Sequence, residues 1–260
     1  MKLAISNIGW AAEWDEKIYS AMEQYDYMGL EIAPTRIFPE QPYEDLERVK
    51  MWYEMIHTRF VIPSMQSIWY GHTEKIFGSN EERKILLDYT KKAIDFAEII
   101  ECKNLVFGCP KNRNLPKGID RKIAVSFFEE LGDYACAHHT IIGVEANPPI
   151  YNTNFLNTTK EALDFIDDVR SDGLKLNLDI GTMIENGEDI SCLLGREDKI
   201  NHVHISEPGL KKIERRSIHA TLAAFLRECG YEGYISIEMG KQDSVDTVIE
   251  VMKYVREQMQ

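Results

Sequence analysis

The run Asn201-His202-Val203-His204-Ile205-Ser206-Glu207 alternates polar and apolar residues along a short β-prone segment and ends on ionisable character. With a period of two, His202 and His204 share one strand face. Three other short apolar runs end the same way: Ile142-Gly143-Val144-Glu145-Ala146-Asn147-Pro148, Leu176-Asn177-Leu178-Asp179-Ile180-Gly181 and Ile235-Ser236-Ile237-Glu238-Met239-Gly240. The steps from Glu145 to Asp179, to His204 and to Glu238 are each about one βα unit long.

Working outward, short runs rich in Ile, Val, Leu and Phe alternate with longer stretches of helical period. Strands are expected at Lys2–Ile8, Gly29–Ala33, Phe60–Ile68, Asn104–Phe107, Ile141–Ala146, Leu174–Asp179, His202–Ser206 and Tyr234–Glu238. Between them, Glu81–Ile100 sets Leu86, Tyr89, Ala93, Phe96, Ala97 and Ile100 on one helical face, with Asn80 and Glu81-Glu82 suited to its N-terminus. Ser244–Gln260 repeats the pattern. Eight such units in 260 residues predict an α/β (β/α)₈ TIM barrel, one domain over residues 1–260, since the fold needs about 250 residues. An open doubly wound sheet is the competing architecture, but no G-x-G-x-x-G follows the first strand.

Formal net charge is −13, from 43 acidic and 30 basic residues, which sets a repulsive field against nucleic acid. No apolar run reaches the roughly 18 residues a bilayer requires, and Met1-Lys2-Leu3 enters a strand-like segment without a signal-peptide layout. The expectation is a cytoplasmic protein that binds neither membrane nor nucleic acid, with room for a homo-oligomer. Cys102, Cys109, Cys136, Cys192 and Cys229 form no C-x-x-C pair, so reduced thiols are expected, Cys109 being a small buried residue rather than a nucleophile.

Polar residues at the carboxyl ends of barrel strands point into one mouth. Glu145, Asp179, His204 and Glu238 would therefore surround one point. Any one of them alone reads as a solvated cap or ion-pair partner. Together, three crowded carboxylates call for a divalent cation, and oxygen with imidazole suits manganese, magnesium, cobalt or zinc. His204 would bind through a neutral nitrogen, its other nitrogen held by an acceptor.

These runs, with Gly230-Tyr231-Glu232-Gly233-Tyr234-Ile235-Ser236-Ile237-Glu238, resemble the xylose-isomerase-like TIM barrel superfamily, which takes in sugar phosphate isomerases and epimerases, ketose 3-epimerases, inosose dehydratase and endonuclease IV. The resemblance implies that Glu145, Asp179, His204 and Glu238 bind the metal, and that Glu145 and Glu238 exchange protons with the carbon beside a carbonyl. Two positions depart from the pattern. Thr182 stands where many relatives carry a substrate-binding His, and Glu207 where they commonly have Asp.

Further substrate-binding candidates are Lys111 and Arg113, which could clamp a phosphate or carboxylate after the fourth strand, with Asn147, Thr182, His202, Glu207, Gln66 and Glu31. For Glu31 and Gln66 a buried network is the equal alternative. Trp10, Trp69 and Tyr70 could stack on a sugar, and Tyr151 follows a stiff Pro148-Pro149 loop. The expected function is a metal-dependent isomerase or epimerase of a sugar or sugar phosphate. A dehydratase of a polyol-derived ketone, a non-catalytic sugar-binding barrel and an abasic-site endonuclease are the alternatives. The nuclease is disfavoured by net charge and by the lack of His ligands at the ends of the second to fourth strands.

Overall fold

The computed structural model describes residues 1–260. Its parallel strands are β1 Lys2–Ser6, β2 Tyr27–Glu31, β3 Leu105–Phe107, β4 Ile142–Val144, β5 Leu174–Asp179, β6 Ile200–Ile205 and β7 Tyr234–Ile237, in the order β2-β1-β7-β6-β5-β4-β3. Between the two edges, β2 and β3, runs the segment 61–65. Single parallel bridges join Gly29 to Val61, Ile32 to Met65 and Met65 to Leu105, which closes the curled sheet into a barrel.

The expected strand over Phe60–Ile68 is thus an irregular stave rather than a regular strand. Pro63 at its centre has no N–H to give a ladder, and Ser67 turns the chain out with φ of 56°. The neighbouring backbone still finds partners: Leu30 N–H donates to the Val61 carbonyl at 2.9 Å, and Val106 N–H to that of Met65 at 2.8 Å. Gly29 allows close strand approach, because a Cβ there would lie 2.6 Å from the Cβ of Ala4.

Helices enclose the strands: α1 Asp15–Gln24, α2 Pro34–Ile37, α3 Leu46–Ile56, α4 Asn80–Ile99, α5 Lys122–Ala137, α6 Thr159–Val169, α7 Ile180–Asn186, α8 Ser217–Glu228 and α9 Val245–Met259. Helix α4 begins one residue earlier than its periodicity suggests, because Ser79 caps it in a reciprocal box with Glu82. Leu86, Ala93, Ile94, Phe96 and Ala97 then face the barrel. Each fully buried Leu, Ile or Phe contributes about 1.5–3 kcal/mol, so this sleeve between strands and helices holds the fold.

The inside of the barrel is partly polar. Asn104 Nδ2 donates to Ser64 Oγ at 3.0 Å and to Asn177 Oδ1 at 3.1 Å, while Asn201 Nδ2 donates to Asn104 Oδ1 at 2.8 Å. Such groups are tolerated because each is paired. They lead up through the barrel to the strand ends. No helix is long and apolar enough to cross a membrane.

Candidate metal centre and active site

Parallel register lifts the functional side chains to one height. Asp179, the last residue of β5, pairs across the ladder with His204 of β6, and His204 with Ser236 of β7, two residues before Glu238. Glu145 follows the last residue of β4. One donor atom from each of Glu145, Asp179, His204 and Glu238 lies within 4.8 Å of all the others. His204 Nδ1 is 3.1 Å from Glu145 Oε1 and 3.3 Å from Glu238 Oε2.

Electrostatics here are dominated by crowding out of water. Burial first, then the Glu145 charge, pushes the Asp179 carboxyl up to about 6. Burial also raises Glu238, to about 7, against the pull of His204 and with Glu145 and Asp179 adding repulsion. For His204, burial alone would disfavour the charged ring, but Glu31 and Glu238 outweigh it and hold its pKa well above the ordinary value. A site with three carboxylates and one imidazole, two of the acids driven towards their neutral forms, fits a divalent cation that neutralises the excess negative charge.

Three of the four donors are held from behind. Asn177 Nδ2 donates to Glu145 Oε1 at 2.8 Å, and Asn147 Nδ2 to Glu145 Oε2 at 3.1 Å. Gly108 leaves room for that carboxylate, since a Cβ there would sit 2.8 Å from Glu145 Oε2. Asp179 caps α7 by accepting Thr182 N–H at 2.5 Å, and its other oxygen accepts from Ser206. His204 Nε2 meets Glu31 Oε2 at 2.9 Å.

Glu31 is completely buried and belongs to a network, not to a substrate surface. Gln66 Nε2 donates to its Oε1 at 3.0 Å and to Ser6 Oγ at 2.7 Å. His202 Nε2 also lies 3.1 Å from Glu31 Oε2. The carboxylate of Glu31 would rise on burial, yet the two imidazoles hold it well below the usual range.

A cavity of about 530 Å³ opens over this floor, with Glu145, Asp179 and Glu238 in its wall beside Gln66, Asn147 and Lys111. Other expected substrate contacts lie elsewhere. Arg113 is fully buried, donating Nη1 to the Glu145 carbonyl at 2.8 Å and Nη2 to that of Leu156 at 3.2 Å, so it does not stand beside Lys111 at the cavity as a paired clamp would require. Thr182 Oγ1 is spent on the Ala146 carbonyl at 2.8 Å. Glu207 is held in a two-pronged pair by Arg216, with Nε to Oε1 and Nη2 to Oε2 both at 2.7 Å. His202 lies beneath the cavity, facing Glu31. None of these four lines the wall.

Trp10 is buried with its indole on Asp15, while Trp69 and Tyr70 line the cavity. Cys109 also lines it, and burial pushes its thiol up to about 12, which leaves no reactive thiolate. Sequence reasoning missed Asn177 and Ser206. Asn177 had a signal, being two residues before Asp179 and hence on its face; Ser206 stands just beyond the end of β6.

The model of the xylose isomerase-like TIM barrel family matches residues 19–258. L-ribulose 3-epimerase of Methylomonas sp. (strain DH-1) is 30% identical over 129 residues, which is 49% of this chain and 45% of that protein. The match therefore spans less than half the length of that relative. Among solved structures, D-psicose 3-epimerase from Clostridium cellulolyticum H10, with D-tagatose, superposes with a TM-score of 0.75 at 17% identity over 100% of this chain and 96% of its own. The IOLI protein with a binding zinc atom gives a TM-score of 0.73 at 17% identity over 99% and 96%. Likeness at that identity speaks for the fold, and the family match, running through all the strands from β2 to β7, speaks for descent: this chain belongs to the xylose isomerase-like TIM barrel family.

Proposed function

We propose that this chain is a divalent-metal-dependent epimerase of a small ketose, with Glu145 and Glu238 as its two proton-transferring groups. The observation that carries this reading is the set of four donors within 4.8 Å of one another at the floor of a sugar-sized cavity. Glu145, Asp179, His204 and Glu238 would hold the ion, which when bound supplies a Lewis acid for a carbonyl and its neighbouring hydroxyl. Distant likeness to ketose 3-epimerases supports the reaction class.

The protein's own part is to aim and to move a proton. Glu145 has both oxygens hydrogen-bonded, so its carboxylate is fixed before substrate arrives. One glutamate takes the proton from the carbon beside the carbonyl and the other returns one, and return to the opposite face inverts that carbon. Lys111 is the lone Lys or Arg in the wall, with Arg113 turned inward, which favours an uncharged sugar over a phosphate ester. Trp69 and Tyr70 offer aromatic surface to the apolar face of a sugar ring or chain.

The test is solvent exchange. Protein loaded with manganese, cobalt, magnesium or zinc is incubated in D₂O with D-fructose, D-psicose, D-tagatose and L-ribulose. Deuterium at the carbon next to the carbonyl, together with the epimeric ketose and loss of both on chelation, is the expected result. No exchange with any of these sugars under any metal would overturn the proposal, and loss of water instead would make the protein a dehydratase.

A further inference from the structure

The wall of the cavity leaves one recognition question open. Thr182, three residues after Asp179, has committed its hydroxyl to the Ala146 carbonyl and is buried. Gln66 uses its amide N–H groups on Ser6 and Glu31. Asn147 uses its own on Glu145 and on the Ala146 carbonyl. Their donors are therefore taken.

Tyr151 is different. It ends the short turn Pro149–Tyr151, after which Asn152 reverses the chain with φ of 58°. Its ring stands in the cavity wall with Glu145, Asp179 and Glu238. The phenol oxygen accepts the Gly209 N–H at 2.8 Å and has no other partner in the protein. Gly209 sits at φ of 74°, a left-handed conformation that glycine adopts freely and that lets its N–H reach across from the loop following β6. Acceptance of that bond fixes the ring between two loops and leaves the O–H proton uncommitted.

We propose that Tyr151 is a substrate-binding residue whose phenolic O–H donates a hydrogen bond to a ketose hydroxyl, with Gly209 N–H locking it in position. Burial first, and the three carboxylates beyond it, push its pKa up to about 12, so the proton stays on the oxygen at neutral pH. A rigid donor with its acceptor site already filled selects for an oxygen at one point of the substrate. This inference rests on the ketose reading of the site.

The test uses the metal-loaded full chain and its Tyr151→Phe variant, which keeps the ring and removes only the hydroxyl. With whichever ketose the wild type epimerises, KM should rise ~3- to 10-fold while kcat stays within about 2-fold, the signature of a hydrogen bond made equally in ground and transition states. Ketoses lacking one hydroxyl each provide the second readout. One of them should be a poorer substrate for the wild type by the same factor, yet suffer no penalty from that deletion in Tyr151→Phe. A general loosening of the loop would not produce that pairing. Unchanged KM in the variant, or equal penalties for every deoxyketose in both proteins, overturns the assignment. A wild type inactive on all ketoses is a separate outcome, seen without any substitution; it removes the proposed function and this role with it.

Discussion

The imidazole of His204 is held among three carboxylates: its Nε2 is 2.9 Å from Oε2 of Glu31, while its Nδ1 faces Glu145 and Glu238 across 3.1 and 3.3 Å. Glu31 comes from β2 and His204 from β6, 173 residues apart. In the neutral ring that would meet a cation, an acceptor on the far nitrogen fixes the tautomer in which Nδ1 carries the free lone pair, and it makes that nitrogen a stronger donor.

Glu31→Gln should therefore weaken cation binding by about 10- to 100-fold, with the fold retained because the replacement is isosteric. Competition with a chromophoric chelator measures it. Equal affinity in the two proteins would mean that Glu31 is only part of the packing.

Glu145→Gln keeps the shape and can still accept one of the two amide hydrogen bonds, but it cannot accept a proton from carbon. Deuterium exchange into substrate should fall by about 10²- to 10⁴-fold, measured at saturating metal so that weaker binding is not mistaken for lost chemistry. A variant exchanging at the wild-type rate removes Glu145 from the reaction.

Arg113 and Lys111 should separate cleanly. Arg113→Ala removes the side-chain donor from the Glu145 carbonyl and one of two donors from that of Leu156, which keeps the Asn147 N–H, and it opens a void under the site, so a loss of about 3 kcal/mol or more is expected in urea unfolding. Exposed Lys111→Ala should change stability by under about 0.5 kcal/mol. Similar stabilities for the two would contradict the buried role of Arg113.

His219 gives a pH dependence away from the candidate metal centre. Its ring is fully buried, Nδ1 lies 2.8 Å from the Tyr254 hydroxyl and Nε2 has no partner; burial pushes its pKa down to about 4. The unfolded chain, whose His titrates near 6.5, takes up a proton that the native ring refuses. The contribution is thus complete above pH 6.5, is lost as pH falls towards 4 and changes no further below. Between pH 6.5 and 4.5, wild type should lose about 2 kcal/mol more than His219→Gln. Parallel stability curves for the two would show that the ring already accepts its proton in the native state.

The last four strand ends were legible because an ionisable residue follows a short apolar run at equivalent points of successive βα units. What held those residues was not. Glu31 and His204 meet only through closure of the barrel, and no local pattern marks a contact over that separation. Lys111 and Arg113 look alike in sequence, yet the turn Pro110–Asn112 keeps the first at the cavity and sends the second inward to backbone carbonyls. The irregular stave had a visible cause in Pro63, which the apolar run around it concealed.

Anomalous diffraction from crystals of the zinc- or manganese-loaded protein tests the shared ion most directly. One peak per chain is expected, about 2.0–2.3 Å from an oxygen of each of Glu145, Asp179 and Glu238 and from Nδ1 of His204. No peak there, or one bound instead by Glu31 and His202, would contradict it.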